Sequence, residues 1–585
     1  MSLFGLTLVV ITVLAGAYLL YGRFIARQYH LDDDARTPAV ERNDGIDFVP
    51  ARPFYLLGQH FAAIAAAGPI VGPILACLAF GWAPCILWIL LGVVLIGAVH
   101  DFSALVASVR HGAHSIAEIA RKNISRRAWL AMTAFIWLAL LYVIAAFTDV
   151  TAGTFLGASE EVAGIEGQFN KGGAVAGASS MYLVLALVMG LVMRFLRPPM
   201  WLATIVFVPA TLGVVWLGTQ VSTAFILPAQ AWYWIILGYC LVASMLPMWL
   251  LQQPRGYLGG FVLYLAIGIG ALGILFGGYA IEQPAFSDGI ATIPQWLAGG
   301  DDAPRIERIL FPFLFVTIAC GACSGFHGLV CGGTTSRQIA KESHCKPVAF
   351  GAMLLEGFVA VIALATVMII VPGSDASKQA PGAIYGDGLA RFLMALLGDP
   401  ELTNQELYRF ARTFGTMAVA TFVFDTIDVA TRLGRYLLQE LFNKPGRVAG
   451  FIAAAATAGV PLIFLLTAQA GSWRVFWLLF GTSNQLLASL TLLGIFVWLK
   501  REKRRTWYIF WPMLFVMTIT LTALSLQLIA GVRSLLTHGP TGAPEQLNLI
   551  VATLLAGLAV LFIVEAIRSL RRPLPPAEPT PAIPH

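Results

Sequence analysis

The stretch that decides the fold is GQHFAAIAAAGPIVGP, residues 58–73, in which two Gly-Pro steps interrupt an otherwise apolar helical run. Proline removes a backbone donor and clashes with the preceding turn of a helix. In the bilayer core, an interrupted backbone is tolerated only where protein or a water-filled cavity covers it. The run therefore predicts a transmembrane helix broken near mid-membrane, with His60 before the break and Gly68 and Gly72 in it.

The composition around this stretch is that of a polytopic helical membrane protein. Of the 585 residues, 58% are hydrophobic and only 12% are charged, which is unlike a soluble domain. Apolar runs of about 20 residues recur along the chain, and each is long enough to cross a bilayer. We therefore predict an all-α fold with about 15 transmembrane helices. The predicted spans are 3–22, 54–80, 83–108, 128–148, 179–196, 199–220, 230–252, 257–280, 309–331, 348–372, 406–430, 448–467, 473–499, 506–531 and 546–569.

The distribution of basic residues predicts the orientation of the chain. Most of the 37 Lys and Arg residues fall in alternate loops, which places those loops in the cytoplasm, the N-terminus outside and the C-terminus inside. The net charge of +6 follows from this pattern and does not indicate a nucleic-acid partner. The expected partners are a small-molecule substrate and the lipid bilayer, and the sequence gives no oligomeric state.

Two further stretches place polar or small residues within predicted spans. Residues 319–327, ACGACSGFH, weaken a span that runs opposite to the first broken one, and residues 480–489, FGTSNQLLAS, form a polar cluster. The N-terminal end of a half-helix suits an anion, as in transporters built from inverted repeats, although Gly and Pro are also common in ordinary membrane helices. The candidate substrate-binding residues are His60, Gly68, Gly72, Ser324, Gly325, His327, Asn484 and Gln485.

Residues 422–432, FVFDTIDVATR, are the first candidates for binding a coupling ion. Asp425 and Asp428 lie on one helical face at i,i+3, and acidic residues within a span are costly unless they have a function. Arg432, one turn later, could instead pair with Asp428 for purely structural reasons. We favour a cation or proton role for one of the two carboxylates.

Other ionisable residues in the spans are candidates for proton coupling. Glu356 lies partway into its span and is either a proton carrier or a hydrogen-bonded packing residue. His100 and Asp101 end the third span and are expected near its cytoplasmic rim. His327 follows the second break, and a histidine suits proton coupling, although a lone histidine in a membrane is also often a packing residue. The candidate coupling residues are Asp425, Thr426, Asp428, Glu356, His100 and Asp101.

A membrane metal or redox protein is the main alternative to a transporter. Cys320, Cys323 and His327 could form a soft metal site, but this is a single CxxC with no second pair. Cysteine is also an ordinary small residue in packed membrane helices. We predict no metal and no other cofactor, apart from H+ or Na+ as coupling ion. The sequence has no Walker loop, GxGxxG fingerprint or serine-hydrolase elbow, so we do not expect an enzyme; a non-transporting nutrient sensor is a further alternative.

Six long stretches, spread from residue 44 to residue 492, carry a resemblance to a known family that spans nearly the whole chain. They resemble the carbon starvation protein A (CstA) family of bacterial inner-membrane transporters. The resemblance implies the amino acid–polyamine–cation superfamily, a LeuT-like core of five plus five helices in inverted repeat, and proton-driven uptake of peptides or pyruvate during carbon starvation. The stretches are DGIDFVPARPFYLLGQHFAAIAAAGPIVGPILA (44–76), GAVHDFSALVASVR (97–110), ACGACSGFHGLVCGGTTSRQI (319–339), GAMLLEGFVAVIAL (351–364), DTIDVATRLGRYLLQE (425–440) and FGTSNQLLASLTL (480–492).

The resemblance also implies a mapping of the core. The two broken spans would be the first helices of the two repeats, the span with Asp425 and Asp428 would help bind the coupling cation, and residues 386–398 would form an extracellular gate helix. The chain departs from the family in being shorter and in its additional cysteines. The predicted regions are 1–53 (N-terminal helix and cytoplasmic loop), 54–220 (first repeat), 221–308 (peripheral helices and extracellular loop), 309–499 (second repeat), 500–570 (C-terminal peripheral helices) and 571–585 (disordered Pro-rich tail).

Overall fold

The structure, a computed structural model, is built almost entirely of helices. It describes residues 2–44, 48–65, 67–157, 159–161, 168–247, 249–299, 303–444, 446–468, 473–539 and 542–572. Within these residues, 12 helices are long and apolar enough to cross a membrane, or up to 13 if one bent pair counts as a single span. Every predicted span coincides with a helix or with a broken pair of helices, which confirms the polytopic helical class. The predicted tail lies outside the described residues beyond 572.

The bounds of the helices and strands are as follows. The α-helices are α1 (Leu3–Gly16), α2 (Gly22–Tyr29), α3 (Pro38–Glu41), α4 (Pro53–Ile64), α5 (Gly68–Phe80), α6 (Trp82–Gly92), α7 (Ala98–Arg110), α8 (Ile116–Asn123), α9 (Arg126–Phe155), α10 (Lys171–Phe195), α11 (Met200–Gln220), α12 (Ala229–Met245), α13 (Gln252–Phe276), α14 (Ile293–Ala298), α15 (Leu310–Thr317), α16 (Gly325–Gly333), α17 (Ala352–Met368), α18 (Pro381–Leu396), α19 (Gln405–Leu441), α20 (Arg447–Thr467), α21 (Trp473–Arg501), α22 (Trp507–His538) and α23 (Ala543–Arg571). Strands β1 (Ser159–Glu161) and β2 (Gln168–Asn170) pair antiparallel between α9 and α10.

Two spans are broken where the sequence predicts a break. α4 and α5 meet at a bend of 48°, and Pro69 lies in the first turn of α5, where its missing N–H is not needed by the helix. α15 and α16 are separated by residues 318–324, a run of mostly small residues. The sequence thus divides each span into two half-helices that meet within the protein.

The two broken spans pack directly against each other. A Cβ atom at Gly68 would lie 2.4 Å from Cys320 Sγ, and one at Gly72 would lie 2.5 Å from the carbonyl oxygen of Thr317. No side chain fits at these distances, so glycine permits the close approach of the two backbones. Each break is therefore covered by protein, as an interrupted backbone in a membrane requires.

Long helices enclose the broken spans. α21 is fully buried over its most apolar stretch, and the corresponding stretch of α19 is 89% buried. α12 and α13 pack against α19, and α12 also contacts α9; the assignment of 221–308 as peripheral stays a prediction. The predicted gate segment 386–398 is helical over most of its length as part of α18, which packs against α13, α17 and α19; its gating role and the division into repeats stay predictions.

Segments on the predicted cytoplasmic side hold the inner ends of α7 and α17 together. Glu342, at the start of the span that contains α17, accepts hydrogen bonds from Arg110 Nε at 2.9 Å, from Arg110 Nη2 at 2.8 Å and from the backbone of Asp32 at 2.9 Å. Ala51 forms a parallel bridge with Ile339. We call residues 29–44, 48–52 and 334–345, together with Arg110, the cytoplasmic clasp.

Candidate functional site

A buried histidine joins two carboxylates beside the second break. His327, in the first turn of α16, has Nδ1 at 2.8 Å from Asp101 Oδ2 and Nε2 at 3.2 Å from Glu356 Oε2. None of the three side chains is more than 1% exposed. Because α7, α16 and α17 each supply one residue, the cluster ties together three helices where they converge on the break. We call Asp101, His327 and Glu356 the buried triad.

Irregular turns position both carboxylates of the triad. A π-helical segment, Val93–Gly97, directly precedes α7, and another, Lys346–Gly351, directly precedes α17. Such segments are common at functional sites because one extra residue in the turn changes the direction of the side chains that follow. Asp101 and Glu356 each lie within two turns of such a segment, so the irregularity sets the face on which they meet His327.

Two further histidines lie near the triad. His100 Nδ1 is 2.7 Å from Asp101 Oδ1, and a Cβ atom at Gly328 would lie 3.3 Å from the His100 ring. His60 Nδ1 is 2.8 Å from Thr335 Oγ1. His100 and Asp101 are both 0% exposed, and α7 continues beyond them to Arg110; their position at the cytoplasmic rim stays a prediction.

A side chain from α21 caps the N-terminus of α16. Asn484 Oδ1 accepts the backbone N–H of Phe326 at 2.9 Å, and Asn484 Nδ2 donates to Ser324 Oγ at 3.0 Å and to Cys320 Sγ at 3.2 Å. A Cβ atom at Gly325 would lie 2.4 Å from the Asn484 carbonyl oxygen, so the two helices are in direct contact. An amide oxygen thus takes the place that a carboxylate oxygen would take at a half-helix N-terminus.

Side chains also satisfy the carbonyl groups that the second break frees. A buried carbonyl without a donor is costly in a membrane, and three donors from α6 and α21 remove that cost here. The donor–acceptor pairs are Trp88 Nε1 to Ile318 O at 3.2 Å, Trp477 Nε1 to Thr317 O at 3.4 Å and Gln485 Nε2 to Phe315 O at 3.0 Å. In this conformation those carbonyls already have donors.

The first break offers fewer backbone donors than the sequence predicts. Pro69 has no N–H, and the N–H groups of Ile70 and Val71 both donate to the Ala67 carbonyl, at 3.1 and 2.8 Å. The N-terminus of α16 is therefore the better anion site of the two. Gly68 contributes to the site by packing against Cys320, which lies in the break between α15 and α16.

The two aspartates of α19 form a separate charged cluster with an arginine that the sequence analysis missed. Arg255 of α13 donates from Nε to Asp425 Oδ1 at 2.7 Å and from Nη2 to Asp428 Oδ2 at 3.1 Å. Arg432 does not pair with Asp428; its Nη2 donates to backbone carbonyls of α12 and the loop after it. Thr426 is turned inward on its own helix, where its hydroxyl donates to the Phe422 carbonyl at 3.0 Å.

Arg255 and Asp149 are two candidate functional residues that the sequence did not reveal, and a reason can be given for each. Arg255 lies at the inner end of its span, where the positive-inside rule already accounts for an arginine. Asp149 follows the predicted span 128–148 by one residue, yet α9 continues to Phe155. There Asp149 accepts the Tyr233 hydroxyl at 2.6 Å and the Trp473 N–H at 2.6 Å. The length of α9 was the signal that could have revealed it.

The cysteines are all buried, and each is a free thiol. Among the residues that the structure describes, no group of three or more His, Cys, Asp or Glu side chains has an arrangement that could hold a metal ion. Cys320 instead accepts a hydrogen bond from Asn484. The cysteine-rich break is therefore a packed interface between two spans.

Comparison with known proteins gives a match along most of the chain. A family model described as "Carbon starvation protein CstA" matches residues 3–396 and 376–523. "Peptide transporter CstA" of Helicobacter pylori (strain ATCC 700392 / 26695) is 31% identical over 555 residues, covering 82% of this chain and 75% of that protein. "Pyruvate/proton symporter BtsT" of Escherichia coli (strain K12) is 30% identical over 616 residues, covering 88% of this chain and 80% of that protein.

A solved structure is also similar over much of the chain. It is the crystal structure of the Eremococcus coleocola manganese transporter in complex with an aromatic bis-isothiourea substituted compound. The match has a TM-score of 0.47 and 13% sequence identity, and it covers 90% of this chain and 98% of that chain.

Proposed function

Because the chain belongs to the carbon starvation protein CstA family of transporters, we propose that it imports a small carboxylate such as pyruvate, or a short peptide, together with protons. The membrane would be the inner membrane of a bacterium. The relatives named above include both a peptide transporter and a pyruvate/proton symporter. The chemistry that these two substrates share is a carboxylate.

The observation that carries the proposal is the position of His327 between Asp101 and Glu356. Two buried carboxylates share one imidazole, so the triad holds a net negative charge when His327 is protonated. Buried charge without full compensation is costly, and one further proton on Glu356 would remove it. The uncompensated charge costs most when the site is closed to water, so closure of the site favours uptake of the proton. Proton binding and closure of the site would be coupled in this way.

The substrate carboxylate would bind at the N-terminus of α16. Its oxygen would replace Asn484 Oδ1 at the Phe326 N–H, next to Ser324. Buried polar atoms that have no hydrogen-bond partner among the described residues are available nearby: His60 Nε2 and Gln485 Oε1. These supply the remaining polar contacts of the proposed site.

The deciding experiment is uptake of labelled pyruvate, and separately of a labelled dipeptide, into proteoliposomes under an imposed proton or sodium gradient. We expect accumulation of one substrate that follows the proton gradient and collapses with an uncoupler. In Glu356→Gln, gradient-driven accumulation should fall by at least about tenfold, while exchange of substrate across the membrane continues. An amide can still accept a hydrogen bond but cannot carry the proton.

The matched control is Glu282→Gln, the same change at an exposed loop position, which should transport normally. Accumulation by Glu356→Gln at the control's level would contradict the coupling role of the triad. Binding of the substrate by folded protein without any flux would favour a sensor. Stoichiometric metal in the purified protein, lost in Cys320→Ser, would favour the metal or redox alternative.

A further inference from the structure

The second buried charge cluster contains its own cation. Asp425 and Asp428 lie on one face of α19, and Arg255 reaches both of them from α13. The side chains of Arg255 and Asp428 are 0% and 1% exposed, whereas that of Asp425 is 23% exposed. A guanidinium thus bridges two carboxylates that would otherwise need a counter-ion from solution.

The surroundings fix the guanidinium in this place. The Tyr239 hydroxyl accepts from Arg255 Nη1, and the Tyr239 ring centroid is 5.9 Å from the centre of the guanidinium. Tyr182 donates to the backbone carbonyl of Arg255 at 2.7 Å. Residues of α10 and α12 therefore hold the arginine in addition to α19: Tyr239 contacts its guanidinium and Tyr182 its backbone.

The cluster retains the oxygen ligands of a cation site. Asp428 Oδ1 is buried and has no hydrogen-bond partner among the described residues, and Asp425 is partly open. Two carboxylates at i,i+3 on a membrane-buried helix attract a cation strongly, since few other groups nearby compensate their charge. Arginine stays protonated at all physiological pH values, so the compensation it gives is permanent.

We infer that Arg255 takes the place of a free coupling cation between α13 and α19, so that Asp425 and Asp428 bind no sodium in this chain. The inference deepens the proposed proton coupling and rests on it for its meaning in transport. The buried triad is then the site at which the ion gradient acts, and transport is independent of sodium.

The test measures cation-dependent stability of purified protein and requires no transport. Melting temperatures are compared in sodium chloride and in choline chloride of equal concentration. The native chain should melt at the same temperature in both salts. Arg255→Gln should melt lower than the native chain in choline and should regain at least about 2 °C in sodium, because sodium then enters between the two carboxylates.

Three further variants separate cation replacement from an ordinary structural ion pair. Arg255→Lys keeps a fixed positive charge and should show no sodium effect. Arg255→Gln combined with Asp428→Asn should lose the sodium effect, because one carboxylate is gone. Arg432→Gln removes an arginine of α19 that bonds backbone carbonyls, and it should lower the melting temperature equally in both salts.

Several outcomes would overturn the inference. One is an Arg255→Gln protein that has the same melting temperature in both salts, and a second is an Arg255→Gln protein that folds in neither salt. In both cases a free cation does not replace the guanidinium. Another is a native chain that sodium stabilises in a manner lost in Asp428→Asn. Because none of these results involves uptake, they are distinguishable from a failure of the proposed symport.

Discussion

At the scale of single residues, the chemistry of the buried triad depends on what else faces it. His327 presents one ring nitrogen to Asp101 and the other to Glu356, and His100 presents Nδ1 to the second oxygen of Asp101. Asp101 therefore has a donor at each oxygen, whereas Glu356 has a single neighbour of opposite charge. Glu356 is the carboxylate whose charge is less well compensated, and for this reason the proposal assigns the transported proton to Glu356 and not to Asp101. The other ionisable groups around the triad are His60, Cys320, Cys323 and Cys331.

In the proposed site, Asn484 is the residue that would compete with a substrate carboxylate at the N-terminus of α16. We expect Asn484→Asp to raise the KM of uptake by at least about tenfold, because a fixed anion then occupies the helix N-terminus. Asn484→Ala should not raise KM, but it should lower the melting temperature, since it removes a helix cap that contributes about 1 kcal/mol. Initial rates of uptake and thermal unfolding of both variants check this.

The two substitutions are at the same position, and only Asn484→Asp introduces a charge. An unchanged KM in a folded Asn484→Asp protein would show that the carboxylate binds somewhere other than the Phe326 N–H. Equal increases of KM in both variants would instead make Asn484 a direct ligand of the substrate.

At the scale of elements, the contact between the two broken spans is the feature that the fold cannot lose. The Gly-Pro pair opens α5, the small residues 318–324 separate α15 from α16, and each break covers the other. The backbones approach so closely that movement of one half-helix must move its neighbour. The contact therefore couples α5 to α15 and to the break that precedes α16.

Gly72→Ala tests this contact. A Cβ atom there would lie 2.5 Å from the Thr317 carbonyl oxygen, which belongs to the backbone and cannot turn aside. We expect a loss of about 1–3 kcal/mol of stability and a loss of uptake. Gly213→Ala is the control: Gly213 is exposed in α11 and its Cβ would meet nothing within 4 Å, so stability should be unchanged or raised by up to about 1 kcal/mol. Equal behaviour of the two variants would contradict the close packing of the breaks.

The sequence was sufficient to predict the elements but not the partners of their polar groups. Apolar length predicts the spans, and Gly-Pro in such a run predicts a break, since both follow from local chemistry. The pairing of Arg255 with Asp425 does not, because the two lie 170 positions apart and only tertiary packing brings them together. The burial of Asp101 was missed for the same reason, since its partner His327 lies 226 positions away along the chain.

At the scale of the whole molecule, α7 and the span containing α17 are joined twice. The buried triad links Asp101 to Glu356 through His327, and the clasp links Arg110 to Glu342 at the cytoplasmic ends of the same helices. A change of charge in the triad therefore acts on the two helices whose ends close the inner side. In the proposed transport cycle, release of substrate to the cytoplasm would require the clasp to open, because residues 335–338 of the clasp pack against α7 and α16.

A native cysteine reports on this opening. Cys345 is 0% exposed and lies three residues after Glu342. In Glu342→Gln, the bidentate contact with Arg110 is lost and the guanidinium is left without its carboxylate. Loss of the charged hydrogen bond weakens the clasp by about 1.5–3 kcal/mol, and the unpaired guanidinium brings the total to several kcal/mol at most. We expect labelling of Cys345 by a membrane-impermeant maleimide, applied to inside-out vesicles, to rise by at least about tenfold, as measured by mass spectrometry.

Glu118→Gln provides the control, because Glu118 pairs with Arg121 in a partly exposed contact on α8 and its loss should leave Cys345 protected. Adding the transported substrate to the native chain should also increase labelling, because turnover passes through the open clasp. Protection of Cys345 in Glu342→Gln equal to that in the control would mean that Arg110 and Glu342 do not hold the inner side closed. The inner side would then have to open elsewhere, and the double connection between α7 and the α17 span would serve stability alone.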